Sequence, residues 1–271
     1  MSQSLTEFQN TLLGVTAAMI EGIILQPTVY WKNAKALNLP FSLNPMIVYR
    51  GTVASLFNEC QMMGLQFGFT GFYQRLLMDR STKRSNAKTQ EIMCSSLGGF
   101  TAAFFASPVE LVMIQQQING GSSIGTLIAA LKGNQIFRGL TPALARDAIY
   151  VTGMLGVTPI LQTYLVEEKQ FSMSAAGFYA SIAGGILAAL PSHPFDMMKT
   201  CMQAKSFQTP IEDILTLRQT ATQLWKEGGI RRIYAGAAWR TFNVTATIYI
   251  ANECRVRMSP FFSTIGSEPS L

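Results

Sequence analysis

The chain alternates six long, mostly apolar stretches with short polar segments, and this pattern predicts an all-helical protein. The long helices are expected at about residues 12–36, 52–78, 91–118, 141–166, 174–203 and 237–258. Each stretch carries glycine, amide or hydroxyl residues, so no uninterrupted apolar run of about 18 residues marks a simple membrane anchor. The mixture favours helices that turn one face to lipid and the other to packed neighbours or a polar cavity.

Shorter segments separate the two long helices of each pair. A loop with a short surface helix is expected over residues 38–51, and short amphipathic helices over residues 124–131 and 211–226. Residues 79–90 form the most polar linker of the first half, and the Ser/Pro/Gly-rich tail after residue 258 is expected to fray. We therefore expect each third of the chain to form a long helix, a short surface helix and a second long helix.

A proline-centred unit recurs three times at nearly constant spacing. Pro27, Pro108 and Pro194 lie 81 and 86 residues apart, each inside a predicted long helix, where proline removes a backbone donor and kinks the helix. The small residues Ala17, Gly98 and Gly184 stand ten positions before the three prolines. Because self-similarity at a fixed period indicates structural repeats, we expect one domain over residues 1–271 with three repeats, at about residues 8–85, 88–170 and 172–260.

Charged and amide residues follow the prolines. After Pro194 come Asp196, Lys199 and Gln203, which share one helical face because residues three and four apart are neighbours. The second copy carries an acid at Glu110, and the first carries a base at Lys32.

Composition places these helices in a membrane. Only 13% of the residues are charged, against about 25% in an ordinary soluble domain. The net charge of +6 suits anionic lipid headgroups, and no nucleic-acid-binding motif accompanies it. The four cysteines are scattered and His193 is the only histidine, so no metal site is expected. No nucleophile–base or paired-carboxylate pattern indicates an enzyme, and no cofactor is needed. The lack of a basic residue before Lys32 argues against a signal or transit peptide.

A threefold Pro-x-acid-x-x-base pattern of this period, followed by aromatic-Arg-Gly, resembles the mitochondrial carrier family over about residues 8–258. The resemblance implies six tilted transmembrane helices in three pseudo-threefold repeats, with short amphipathic helices on the matrix side. It also implies a multi-pass protein of the mitochondrial inner membrane, imported without a cleaved presequence. Its central site would open alternately to either side.

The same resemblance implies a gate on the matrix side, in which the acid of each repeat pairs with the base of the next. Its members here are Glu110 with Lys199, Asp196 with Lys32, and the bracing amides Gln117 and Gln203. The remaining link would join Val29 to Met113, and both are apolar. Because a single unpaired buried charge is costly whereas two packed apolar groups are often neutral or stabilising, we interpret this as an ion pair exchanged for a hydrophobic contact.

The family's cytoplasmic gate is an aromatic-acid-x-x-base pattern near the ends of the even-numbered helices, and this chain does not match it. Residues 72–77 have neither acid nor base in place, and the region around Pro159 has nothing similar. The third repeat offers Glu253, with Arg255 and Arg257 out of register. Because alternation needs two gates of similar strength, this departure speaks against an ordinary transport cycle.

By the family's geometry, substrate contacts lie seven residues past the glycine of each aromatic-Arg-Gly turn, at Asn58, Arg146 and Asn243. Arg146 is followed by Asp147, and an Arg-acid pair at this point resembles family members that carry amino acids. A guanidinium holds a carboxylate in a bidentate fork, and the neighbouring carboxylate can take an ammonium. The alternative is a pair that only satisfies itself beside the helix start. Glu21 is a further candidate to face the cavity.

Gly51, Arg138 and Gly139 belong to aromatic-Arg-Gly turns that precede helices, whose N-termini bind phosphate through free N–H groups and the helix dipole. In the family these turns hold cardiolipin, so membrane lipid, and cardiolipin in particular, is an expected partner. Ala235 replaces the arginine in the third repeat and weakens that site.

Two functions are compatible with these patterns. The first is transport of a small metabolite, amino-acid-like or a carboxylate, by alternating access. The second is a non-transporting structural or accessory subunit of a larger inner-membrane complex, such as a respiratory complex, with other subunits as partners. The fold signature and Arg146–Asp147 favour transport, whereas the unmatched cytoplasmic gate and the Val29/Met113 exchange favour the accessory role.

Overall fold

The computed structural model describes residues 7–36, 40–49, 52–77, 84–119, 123–205 and 215–264, which form helices and connecting turns. The helices are α1 (Glu7–Ala36), α2 (Pro45–Val48), α3 (Thr52–Leu77), α4 (Arg84–Asn119), α5 (Ser123–Lys132), α6 (Leu140–Val151), α7 (Thr158–Glu167), α8 (Met173–Gln203), α9 (Leu217–Ile233) and α10 (Ala237–Thr264). A π-helical segment, Thr152–Val157, joins α6 to α7.

The long helices pack as a closed ring. Helix α1 contacts α3 and α10, α3 contacts α4, and α4 contacts α6. Helix α8 completes the ring, because it packs on α6 and α7 on one side and on α10 on the other. Pro27, Pro108 and Pro194 lie inside α1, α4 and α8, which are alternate members of the ring.

Four segments of the described chain are long and apolar enough to cross a membrane: Thr11–Lys32, Ala87–Gln115, Leu140–Glu167 and Met173–Gln203. These helices expose large apolar side chains, among them Ile23, Ile24, Phe104, Phe105 and Leu187. Such side chains suit contact with lipid hydrocarbon, while polar groups lie inside the ring. The protein is therefore all-helical with four candidate membrane spans, and the more polar α3 and α10 are not among them.

Small residues let neighbouring helices approach closely. A Cβ atom on Gly98 would lie 2.8 Å from the backbone nitrogen of Thr70, and one on Gly184 would collide with the hydroxyl of Thr158. Close backbone contact of this kind is how helices associate where the hydrophobic effect is weak. The glycine register around the repeated prolines thus corresponds to the contact lines between helices.

Some predicted boundaries were wrong. Helix α4 begins at Arg84, inside the predicted linker 79–90, because Ala, Lys and Gln residues there are good helix formers. Helix α9 (Leu217–Ile233) starts later than residue 211, because Thr216 and Gln219 form a capping box, and it is kinked at Gly228 and Gly229, just past the predicted end at residue 226. Helix α10 continues to Thr264, six residues past its predicted end.

The fourth predicted long helix, at about residues 141–166, is interrupted by the π-helical segment. Pro159 has no N–H and stands at the start of α7, directly after this wide turn. The Thr158 hydroxyl donates a hydrogen bond of 2.8 Å to the carbonyl of Gly153 inside the turn. The proline and the wide turn together interrupt the α-helical hydrogen bonding, while Leu140–Glu167 remains one helical span, as the sequence predicted.

Candidate functional site

A cavity of about 110 Å³ is lined by residues from α1, α3, α4, α6, α8 and α10, and therefore lies at the centre of the ring. The charged residues in its lining are Glu21, Glu59, Glu110, Asp147 and Asp196, with Lys32, Arg146 and Arg240. Apolar residues such as Leu25, Met62 and Val244 complete the wall. Drug-sized pockets typically measure about 300–1,000 Å³, so this volume suits a small molecule.

Glu110 joins two cations. Its Oε2 lies 2.5 Å from Lys199 Nζ on α8, and its Oε1 accepts a 3.0 Å hydrogen bond from Arg146 Nη2 on α6. All three side chains are at most 10% exposed. Glu110 thereby connects α4 to two other helices through charged contacts.

Asp196 is the second junction, and three cations surround it. Arg240 Nη1 lies 2.9 Å from Oδ2, Lys32 Nζ lies 3.4 Å from Oδ2, and Arg146 Nη1 lies 3.4 Å from Oδ1. Arg240 also donates a 2.7 Å hydrogen bond to the hydroxyl of Ser192. The carboxylate of α8 therefore links α1, α6 and α10.

Arg146 and Asp147 form a bidentate pair. Arg146 Nε donates to Asp147 Oδ1 at 2.9 Å, and Nη2 donates to Oδ2 at 2.6 Å. The same guanidinium reaches Glu110 and Asp196, so Arg146 contacts three carboxylates at once. The pair is satisfied by itself, as one interpretation of the sequence expected, and it is also part of the central network.

Breaking this network of ion pairs would strongly destabilise the folded protein. Its carboxylates Glu110, Asp147 and Asp196 are each at most 4% exposed. Removing one partner of a buried ion pair typically costs about 3–5 kcal/mol, because the remaining charge stays buried without compensation. The network therefore holds the helices together strongly, and whatever loosens it changes how the helices pack.

The two apolar residues of the third predicted link are both partly buried. Val29 lines the cavity one turn before Lys32, and Met113 lies one turn after Glu110 on α4. Among the described residues, Val29 and Met113 therefore contribute no ion pair to the predicted matrix gate.

The C-terminal end of α8 is held by polar side chains from other helices. Gln115 Nε2 donates to the carbonyls of Gln203 and Lys205 at 2.5 and 2.6 Å. Arg138 Nη2 donates to the same two carbonyls at 3.2 and 2.5 Å. These contacts satisfy carbonyls that a helix end leaves without intrahelical partners. Burial lowers the pKa of Arg138 to about 10, so its guanidinium remains charged at neutral pH.

The predicted brace Gln203 is fully buried, and its Nε2 donates to the carbonyl of Arg138 at 3.3 Å. The side chain of Gln117, the other predicted brace, lies outside the described residues. Gln115, two positions earlier, makes the contacts to α8. Gln115 belongs to the same run of three glutamines as Gln117, and nothing in the run itself distinguishes one of them as the brace.

The remaining predicted substrate contacts also line the cavity. Asn58 on α3 is 3% exposed, and Asn243 on α10 donates a 2.8 Å hydrogen bond to Thr28 Oγ1 on α1. Sequence reasoning missed Glu59 and Arg240, which line the cavity as well. Glu59 adjoins Asn58, and Arg240 lies one helical turn before Asn243, so the face defined by the predicted contacts could have identified Arg240.

The turn before α6 has the backbone that its glycine allows. Gly139 adopts a φ of +78° and Gly236, at the equivalent place before α10, a φ of +85°. Residues without a side chain tolerate this left-handed conformation at little cost. The predicted lipid site at Gly51 lies outside the described residues. Arg138 directs its guanidinium to α8, so its charge is engaged within the protein.

Glu253, which the sequence offered for the cytoplasmic gate in the third repeat, pairs within its own helix. Arg257 Nε lies 2.8 Å from Glu253 Oε2, four residues along α10. This contact stabilises one helix and connects it to no other.

Comparison with known proteins shows similarity to mitochondrial carriers. A family model described as mitochondrial carrier protein matches residues 171–251, which correspond to the third predicted repeat. A mitochondrial glycine transporter of Saccharomyces cerevisiae is 26% identical over 208 residues, covering 71% of this chain and 67% of the relative. A probable mitochondrial 2-oxodicarboxylate carrier of Dictyostelium discoideum is 23% identical over 254 residues, covering 84% and 82% of the two chains.

A third relative, a mitochondrial thiamine pyrophosphate carrier of Sclerotinia sclerotiorum, is 25% identical over 180 residues, covering 57% of this chain and 54% of the relative. All three relatives are described as mitochondrial transporters or carriers. With its ring of helices around a charged central cavity and four candidate membrane spans in its described part, this chain is similar to mitochondrial carrier proteins.

Proposed function

We propose that this carrier transports a small amino-acid-like or carboxylate metabolite by alternating access. The observation that carries the proposal is the buried bidentate pair of Arg146 and Asp147 in the wall of the central cavity. Guanidinium and carboxylate side by side can receive the two charged groups of a zwitterion. A glycine transporter among the relatives supports a substrate of this class.

The contacts of Arg146 suggest how binding could drive the cycle. The guanidinium also holds Glu110 and Asp196, which join α4, α6 and α8. A substrate carboxylate on Arg146 would compete with these two carboxylates. Because a ligand shifts a conformational equilibrium only through its differential affinity for the two states, substrate binding would favour the state in which these ion pairs are open.

We propose that the pairs Glu110–Lys199 and Asp196–Lys32 form the matrix gate, with Gln203 as a brace. Their distances of 2.5 and 3.4 Å and their burial support the assignment. The closed ring and the prolines in alternate helices support six transmembrane helices in three repeats, at about residues 8–85, 88–170 and 172–260. Cardiolipin at Gly51, Arg138 and Gly139 stays a prediction.

Uptake into proteoliposomes tests the transport proposal. Purified protein reconstituted in vesicles should accumulate a labelled small amino acid or carboxylate, and Arg146→Ala should abolish the uptake. Arg218→Ala is the matched control, because Arg218 is exposed on α9, away from the cavity. Equal uptake by Arg146→Ala and the native protein would contradict the site assignment.

A second candidate function is an accessory subunit of a larger inner-membrane complex. The observation that favours it is the contact of Glu253 with Arg257 in its own helix, because a cytoplasmic gate needs pairs between helices. Native electrophoresis of membranes solubilised in mild detergent distinguishes the two functions. Migration near the chain's own 29.7 kDa plus detergent supports an autonomous carrier. Migration with a much larger assembly that survives moderate salt supports the accessory role.

A further inference from the structure

The side of the cavity formed by α1 and α3 carries acceptor groups that the ion-pair network leaves unused. Glu21 on α1 is 4% exposed, and its Oε2 has no hydrogen-bond partner among the described residues. The buried carbonyl oxygens of the Gln26 and Asn58 side chains are also without a partner in the described part of the chain. All three residues line the cavity. Buried polar groups are rarely left unpaired, so each such group needs an explanation.

The acidic groups on this wall form no ion pairs with the described residues. Glu59 follows Asn58 on α3 and lines the same cavity. Among the described residues, neither Glu21 nor Glu59 forms an ion pair, whereas Glu110, Asp147 and Asp196 all do. The basic residues of the lining are committed to those three carboxylates. A ligand at this wall would therefore meet two acidic side chains that form no ion pair with the described residues.

The carboxylate of Glu21 decides which ligand chemistry fits. A side-chain amide can turn either its oxygen or its NH2 group toward a ligand, but an ionised carboxylate only accepts hydrogen bonds. The buried Nε of Arg240 is an unpartnered donor of the described lining, and it belongs to a guanidinium already bound to Asp196 and Ser192 on α8. A positively charged hydrogen-bond donor would satisfy the unpartnered oxygens of this wall and stabilise the ionised form of Glu21.

We propose that Glu21, together with Glu59 and Asn58, forms a subsite for the ammonium group of a small primary amine. The three N–H donors of an ammonium match the three acceptor groups in number. Leu25 and Met62, on the same two helices, line the cavity and can cover a short carbon chain. The inference rests on the proposed transport function for its substrate, and it adds ammonium acceptors on the wall of α1 and α3 to the one that Asp147 offers.

Ligand-dependent thermal unfolding of the purified full chain in detergent tests this subsite without requiring transport. The probe is ethanolamine, which carries an ammonium and no carboxylate. At a concentration of about ten times its Kd, ethanolamine should raise Tm by roughly 3 °C. Tetramethylammonium at equal ionic strength has the same charge but no N–H donor, and it should leave Tm unchanged. No response to ethanolamine, or an equal response to both cations, would overturn the proposal.

Substitutions locate the site. Glu21→Gln should weaken ethanolamine binding about 10- to 100-fold, because a hydrogen bond to a charged group is lost. Its Tm without ligand should not fall, since Glu21 forms no ion pair with the described residues that the substitution would break. Glu59→Gln provides a second variant with the same expected loss of binding. Glu168→Gln, an exposed residue at the end of α7, should bind like the native protein. Unchanged ethanolamine binding in both cavity variants refutes the assignment.

The result is separable from that of the transport proposal. If ethanolamine binds in a Glu21-dependent way but vesicles take up no substrate, the amine subsite stands and the transport proposal fails. If a zwitterion is taken up equally by the native protein and by Glu21→Gln, transport stands and the amine subsite is wrong.

Discussion

Lys199 on α8 lies 2.5 Å from Glu110 on α4, and the two side chains are 3% and 6% exposed. Helix α6 stands between α4 and α8 in the ring, so this ion pair crosses the interior instead of following the contact between neighbours. The pair and its extension to Arg146 therefore join three helices through the centre of the protein.

Glu110→Gln should destabilise the protein by about 3–5 kcal/mol, because Lys199 and Arg146 would lose a buried carboxylate partner. Thermal unfolding in detergent, followed by circular dichroism, measures the change. Glu227→Gln on α9 is the comparison, since its pair with Arg232 is exposed and such pairs contribute about 0–1 kcal/mol. Similar losses in the two variants would contradict the role of burial.

Replacing both partners should be milder than replacing one. The double variant Glu110→Met/Lys199→Met removes both charges and substitutes side chains that pack in irregular space. We expect it to recover at least half of the stability lost in Glu110→Gln, because no uncompensated lysine remains. A double-mutant cycle on the two positions checks this, and additive losses would argue against a coupled pair.

Val29 and Met113 provide the complementary experiment. Val29→Asp alone should destabilise the protein, because the new carboxylate would be partly buried and would compete with Asp196 for Lys32. If the two apolar positions replace an ion pair, adding Met113→Lys should reverse part of the loss. The coupling energy between the two substitutions should be about 0.5–3 kcal/mol and favourable. A coupling near zero would show that the two positions do not meet.

Arg138→Ala should loosen the end of α8. The guanidinium donates to the carbonyls of Gln203 and Lys205, and hydrogen bonds to charged groups contribute about 1.5–3 kcal/mol. We expect a loss of that size in unfolding free energy and faster amide hydrogen exchange in the last turn of α8. Arg218→Ala on the exposed face of α9 should change neither quantity. Unchanged exchange in Arg138→Ala would contradict the capping role.

Gly153→Ala tests the close contact between the π-helical segment and α8. The added methyl group would lie 2.5 Å from Ala188 Cβ and 2.9 Å from its Cα, where no flexible side chain can yield. Overpacking of this kind costs about 1–3 kcal/mol. Gly64→Ala is the control, because its nearest atom is the end of the Val15 side chain at 3.3 Å. The Tm values of both variants decide the matter, and an equal fall would remove the argument for backbone contact.

The helical class, the candidate membrane spans and the similarity to mitochondrial carriers were predictable from the sequence. Three prolines at nearly constant spacing, with small residues in the same register, predict three similar helices that alternate with others along the chain. The low fraction of charged residues places them in a membrane. These signals are local or periodic, so they depend on chain chemistry and not on how the helices finally pack. The start of α9 and the break in the fourth helix were missed, because a capping box and a wide turn compete with hydrophobic periodicity.

The sequence alone determined which charged residues exist and on which helical faces they lie. Only the tertiary structure decided which of them meet. Arg146 and Asp147 are neighbours in any fold. Arg146 also contacts Glu110 and Asp196, and these contacts form only because α4, α6 and α8 come close together at this level of the ring. In the same packing, neither Glu21 nor Glu59 forms an ion pair with another described residue. Spacing along a chain fixes faces, whereas ion pairs between helices depend on packing distances of a few ångströms, which no periodicity in the sequence encodes.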